Sequence, residues 1–194
     1  MARKARVSRK TRETEVQVSL DLDGSGQSRI ETSIGFFDHM LELLSRHGLL
    51  DMEVKARGDL HVDHHHTVED VGICLGEALK LALGEGKGIR RFGHVLLPMD
   101  EALAMVAVDI SGRPYLAFQA DLRGKVGEFD VELVEVFFRA FCTHAGLTLH
   151  ARLLSGGNLH HSAEALFKGL AVALREAIEM DPRQRGIPST KGVL

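Results

Sequence analysis

The pattern His-His-x-x-Glu occurs twice in this chain, as His65-His66-x-x-Glu69 and as His160-His161-x-x-Glu164, 95 positions apart. Its surroundings repeat as well. The run from His65 to Leu79 aligns with the run from His160 to Leu174 at that same offset. Upstream, the apolar spacing from Phe36 to His47 matches the one leading to His144, at an offset near 97, so a small loop difference separates the two repeats. Self-similarity at such a period constrains the fold strongly, because each repeat must be built as the same unit.

Each repeat reads as β-β-α-β-α. Residues 12–20 and 29–34 alternate polar and apolar side chains as strands do, with Gly24-Ser25-Gly26 as the turn between them. Residues 36–47 have helical spacing, which puts Phe37, Met40, Leu41 and Leu44 on one face; 51–60 is a strand and 65–83 a second amphipathic helix. The second repeat follows the same order: strands near 101–110 and 115–122, helix 130–145, strand 147–154, helix 160–179. The expected organisation is a first half over 1–86, a second over 87–180 and an irregular tail over 181–194 that carries Pro182, Gly186 and Pro188. Two such halves give an α+β fold of pseudo-two-fold symmetry, with helices packed against two small sheets.

The chemistry lies in the repeated motif. On a helix, residues four apart share a face with Cβ atoms about 5–6 Å apart. His65 with Glu69, and His160 with Glu164, can therefore each grip one cation. Neighbouring residues point about 100° apart around the axis, so His66 and His161 face elsewhere and serve a different ion. Two metals follow, each held by one His/Glu pair and by the odd histidine of the other repeat. Imidazole with carboxylate suits Mn, Fe, Co or Zn, and is too nitrogen-rich for Ca or Mg. A single such cluster could equally be a solvated, His-rich helix start; two in register argue for a site.

Composition removes other classes. A formal net charge of -3 offers no general attraction to nucleic acid or acidic lipid, and the chain has one tyrosine and no tryptophan for stacking on bases. The basic N-terminus lacks the apolar stretch of a secretory signal, and no apolar run is long enough to span a membrane. Cys74 and Cys142 lie in apolar runs, as reduced thiols do. The expectation is a cytoplasmic protein.

Several further motifs now fall into place: Gly35-Phe-Phe-Asp38-His39-Met-Leu, Asp63-His-His-His-Thr-Val-Glu-Asp70, Ser111-Gly-Arg113-Pro-Tyr, Leu147-Thr-Leu-His150, His160-His-x-x-Glu164-x-x-Phe-Lys168 and Ile187-Pro-Ser-Thr-Lys191-Gly. Together, from about Arg9 onward, they resemble the imidazoleglycerol-phosphate dehydratase family of histidine biosynthesis. The resemblance implies a ribosomal protein S5 domain 2-like fold, two Mn ions per active site, and sites shared between subunits of a homo-oligomer, usually a 24-mer. Its activity is the dehydration of D-erythro-imidazole glycerol phosphate to imidazole acetol phosphate. It also implies metal ligation by His39, His66, His160 and Glu164 for one ion, and by His65, Glu69 and His161 for the other. Substrate contacts are implied at Glu13, His47, Arg91, Arg113, Lys168, Ser189, Thr190 and Lys191, where Arg and Lys suit phosphate. Without the resemblance, Arg91 and Lys191 would read as solvated loop charges.

One position departs from the family pattern. The family carries a histidine in a Val-Glu-His-Phe-Phe run, as a further ligand of the second ion, where this chain has Val134-Glu135-Val136-Phe137-Phe138. His144 is on the same helix but about 12 Å further along its axis. Either water completes a site of three protein ligands, or its affinity is reduced. Glu13, read as a strand residue beside Arg12, is the candidate general acid–base group; a surface ion pair is its plainer alternative. Two other functions fit the motif taken alone: a two-metal hydrolase, and a non-catalytic metal-binding oligomer.

Overall fold

The computed structural model describes residues 2–194. Strands β1 (Lys4–Lys10), β2 (Thr14–Asp21), β3 (Ser28–Glu31) and β4 (Asp51–Gly58) form one sheet in the order β1-β2-β4-β3, with helix α1 (Gly35–Gly48) between β3 and β4 and helix α2 (His65–Leu83) after β4. The second half holds β5 (Phe92–Met99), β6 (Ala102–Asp109), β7 (Tyr115–Gln119), a small hairpin of β8 (Lys125–Val126) and β9 (Phe129–Asp130), α3 (Leu133–Ala145), β10 (Thr148–Ser155) and α4 (Leu159–Ile178). Its sheet runs β5-β6-β10-β7. In both sheets the first three strands in that order are antiparallel and the last pair is parallel. The duplication read from two histidine motifs is therefore a duplication of topology.

Two features go beyond the expected β-β-α-β-α unit. Each half begins with an additional edge strand, β1 or β5. In β1 only Val7 is buried, so the segment has no apolar face for an alternation pattern to reveal. The β8–β9 hairpin is the second addition. Equivalent residues are 88 positions apart before it (Lys4 and Phe92) and 98 after it (Gly35 and Leu133). The offset near 97 thus holds only downstream of this insertion. Residues 11–13 form the turn between β1 and β2 rather than part of a strand, which moves Glu13 from the expected strand to a turn.

One face of each sheet is buried, as the strict alternation in β2 and β6 shows. Helix α2 covers the first sheet and α4 the second, while the pairs cross between halves, α2 packing on α3 and α1 on α4. Phe37, Phe137, Phe138 and Phe167 fill the space between, fully buried, with the Phe137 and Phe167 rings stacked 5.2 Å apart. Burial of such rings contributes about 1.5–3 kcal/mol each. The close approach of α2 and α3 depends on glycine: a Cβ on Gly76 would lie 2.6 Å from the Phe141 carbonyl oxygen. Among the described residues, no helix is long and apolar enough to cross a membrane.

Candidate metal centre

Helix α4 starts with its amides satisfied, since the Asn158 side-chain oxygen accepts from the backbone N–H of His160 and His161. His160 and Glu164, one turn apart on the same face of the helix, meet with Nε2 and Oε1 3.0 Å from each other. Helix α1 crosses α4 and brings His39 to the same oxygen, with Nε2 at 2.7 Å. These three residues offer ligand atoms within 4.8 Å of one another and form the one such group among the described residues. The carboxylate is buried, its side chain 7% exposed, while both imidazoles are half-exposed. Burial alone would raise the Glu164 pKa; Lys168, whose Nζ contacts Oε2, together with His39 and His160, outweighs it and holds the carboxyl down at about 2. The donor set fits a transition-metal ion such as Mn, Fe, Co or Zn in chemistry and in spacing.

The other candidate ligands lie apart from this group within one chain. His66 faces Asp59, with Nδ1 3.2 and 3.1 Å from the two carboxylate oxygens, and Glu13 stands 3.9 Å away. His161 faces Glu101, Nδ1 to Oε2 2.9 Å, with Asp100 3.8 Å from its Nε2. His65 and Glu69 are exposed on the wall of an open cleft that also takes in Glu132, Glu135, Val136, Arg139 and His144. His144 turns its Nδ1 to Glu77, 3.4 Å away. The expected exchange of odd histidines between the two motifs does not form inside a single chain.

The residues read as phosphate contacts divide into two places. His47 and Lys168 belong to the triad side: burial lowers the His47 pKa, and the Lys168 charge lowers it further. Arg91 lies elsewhere. Its backbone N–H donates to the Ala177 carbonyl, its guanidinium grips Asp109 at 2.7 and 3.2 Å, and its remaining nitrogen donates to the Pro188 carbonyl in the tail. Arg113 is 3.8 Å from the same Asp109 and largely exposed, and the tail continues into Ser189, Thr190 and Lys191. Ala177 and Glu164 are thirteen residues apart on α4, about 20 Å at 1.5 Å per residue. Sequence spacing offered no pointer to Asp59 or Glu101. Asp59 meets His66 through a bend of the chain over seven positions, and Glu101 meets His161 across 60 positions.

The model of the imidazoleglycerol-phosphate dehydratase family matches residues 32–174. An imidazoleglycerol-phosphate dehydratase of Gluconacetobacter diazotrophicus is 60% identical over 195 residues, covering 100% of this chain and 98% of that protein. The Moorella thermoacetica protein of the same name is 57% identical over 195 residues, with full coverage of both. Two solved structures superpose closely. The Staphylococcus aureus imidazoleglycerol-phosphate dehydratase gives a TM-score of 0.84 at 43% identity, over 92% of this chain and 99% of that one. The Pyrococcus furiosus structure gives 0.84 at 38% identity, over 97% and 100%.

Proposed function

This chain belongs to the imidazoleglycerol-phosphate dehydratase family and is a hydro-lyase, and from that premise we propose that it converts D-erythro-imidazole glycerol phosphate to imidazole acetol phosphate with Mn as its metal. The convergence of His39, His160 and Glu164 carries this reading. Mn accepts the six-fold, mixed imidazole and carboxylate coordination that such a set begins and that further ligands and water complete. His66 is the further ligand of this ion, and His65, Glu69 and His161 hold a second.

These sites are shared between subunits. At roughly 1.5 Å per bond the substrate's three-carbon chain and phosphate reach less than about 10 Å, half the distance between the triad and the Arg91 cluster of one chain. The phosphate of a substrate at the triad is therefore taken up by Arg91, Arg113 and the 189–191 tail of another subunit, with Lys168 and His47 nearer the ring end. Asp109 neutralises Arg91 in part and fixes its planar fork, which suits bidentate recognition of phosphate oxygens. The partly exposed second histidines and the exposed His65–Glu69 cleft leave room for ligands arriving from a neighbour in a homo-oligomer.

The reaction takes a proton from the middle carbon of the glycerol chain and a hydroxyl from the carbon beside the ring, leaving as water; the resulting enol becomes the ketone. A bound divalent cation would act as a Lewis acid toward the imidazole and favour its deprotonated form. The chain must supply the proton carrier, and Glu13 is that group: it is exposed and lies beside His66 without a short partner for its carboxylate. The test is turnover of imidazole glycerol phosphate with and without Mn, alongside a count of metal per subunit. Ketone formed only with Mn, near two ions per subunit, is expected; release of inorganic phosphate, or metal uptake without turnover, would overturn the reading.

Val136 gives a second expectation. It lines the cleft with His65 and Glu69, and Val136→His adds a nitrogen to that wall. The weaker class of Mn sites tightens in a binding titration; unchanged affinity would mean that another group already completes the site.

A further inference from the structure

Glu13 and Glu101 occupy equivalent places in the duplicated fold, 88 positions apart, each in the turn between the first two strands of its half and one residue before the second strand. Each also faces the second histidine of its own half. Their engagement differs. Glu101 is fully committed: Oε2 is 2.9 Å from His161 Nδ1, and Oε1 accepts the Asn158 backbone N–H at 2.7 Å. Glu13 stands back at 3.9 Å, because Asp59, just past β4, has both carboxylate oxygens on His66 Nδ1. Asp59 has no acidic counterpart in the second half, where the residues after β10 are Gly156, Gly157 and Asn158. The two halves reach the same result by different means. In both, a carboxylate accepts from the Nδ1 side of the second histidine. His39 and His160, by contrast, show no carboxylate at Nδ1; their Nε2 atoms face Glu164.

We propose that Asp59 and Glu101 are positioning residues that fix His66 and His161 with the proton on Nδ1 and the lone pair on Nε2, and that Asp59, by relieving Glu13 of this task, is what leaves Glu13 free to carry protons. The inference rests on the reading of His66 and His161 as ligands. An imidazole ligates through a neutral nitrogen, and the hydrogen bond at its other nitrogen decides which one is neutral and where the ring points. Without the carboxylate, the ring rotates and exchanges tautomers, and each arrangement other than the ligating one weakens metal binding. Loss of such a partner lowers metal affinity by about 10–100-fold.

The experiment compares Asp59→Ala, Glu101→Ala, Glu101→Gln, Glu101→Met and Glu13→Ala with the wild-type assembled protein, by Mn binding followed through the electron paramagnetic resonance of free Mn, with thermal melting recorded for each. Both Asp59→Ala and Glu101→Ala are expected to weaken Mn by about 10–100-fold. Glu101→Gln keeps one of the two acceptor oxygens; turned to Nδ1 at the expense of the Asn158 N–H, it recovers part of the affinity, and Glu13→Ala binds Mn as wild type does. Should an alanine variant fail to assemble, Glu101→Met against Glu101→Gln still decides, because Met fills a similar volume without an acceptor for His161 Nδ1: weaker Mn binding by the Met variant is expected, and equal affinity overturns the positioning role. Wild-type affinity in both Asp59→Ala and Glu101→Ala overturns the positioning role and leaves the ligand reading intact. Absence of Mn binding in the wild type overturns the ligand reading itself.

Discussion

Glu164→Ala is expected to lose the metal of the triad and to lower turnover by about a thousandfold or more, since a metal's electrostatic contribution is several kcal/mol and each 1.36 kcal/mol is a factor of ten. The side chain is the common partner of His39, His160 and Lys168, and no neighbouring carboxylate contacts these three. Its removal leaves one full positive charge and two imidazoles facing each other around a cavity. The charge-conserving neighbour matters here: with Lys168 no longer paired, the metal's own charge would also be opposed. Glu164→Gln separates ligation from packing. It preserves volume and an acceptor oxygen, so the fold holds at a lowered melting temperature, since Lys168 loses its counter-charge, and a neutral amide is a poor ligand beside a Lys. Metal counted per subunit falls in both variants. A Glu164→Gln protein that retained its full metal content and turnover would show that the triad is a structural ion-pair cluster.

The helices of this fold and the Glu164 pairing could be read before any coordinates because both are local. Phe37, Met40, Leu41 and Leu44 recur at helical spacing and all four are buried; His160 and Glu164 are four apart and meet. His39 was not accessible in that way. It lies 125 positions from Glu164, and only its place in a family motif pointed to it. The edge strands escaped for a different reason. β1 buries Val7 alone, and β5 has Gly93 at its one fully buried position with Val95, Leu97 and Met99 only partly covered, so neither shows the sharp contrast of β2. Gly93 itself shows how such a strand is held, because a Cβ there would meet the Ala173 carbonyl oxygen of α4 at 1.9 Å. The assignment of Glu13 to a strand failed at a boundary set by a side chain, Thr11, whose hydroxyl accepts from the backbone N–H of Glu13 and Thr14 and closes a turn. The angular argument that separated His66 from Glu69 was sound, and so was its corollary for His161. What spacing could not express is that within the chain these two histidines meet Asp59 and Glu101.

Glu13→Gln is expected to lower kcat by about 100- to 10,000-fold, the range of a lost general acid–base group, while KM and the Mn count stay at wild-type values. That split follows from where the residue stands. A ligand or a positioning residue shows its loss in metal content; a phosphate contact shows it in KM. Glu13 is neither, for Asp59 already occupies the Nδ1 side of His66. The duplicated glutamate supplies the internal comparison. Glu101→Gln alters a carboxylate with two short partners, one of them the N–H that helps seat the start of α4, and its consequence is read in Mn affinity. Glu13→Gln alters a carboxylate 3.9 Å from its nearest charged neighbour, and its consequence is read in the chemical step alone. Full turnover by Glu13→Gln with its metals bound would move the proton to another carrier. A fall in Mn content equal to that of Glu101→Ala would mean that both turn glutamates still perform the same task, and that the duplication has not divided it between them.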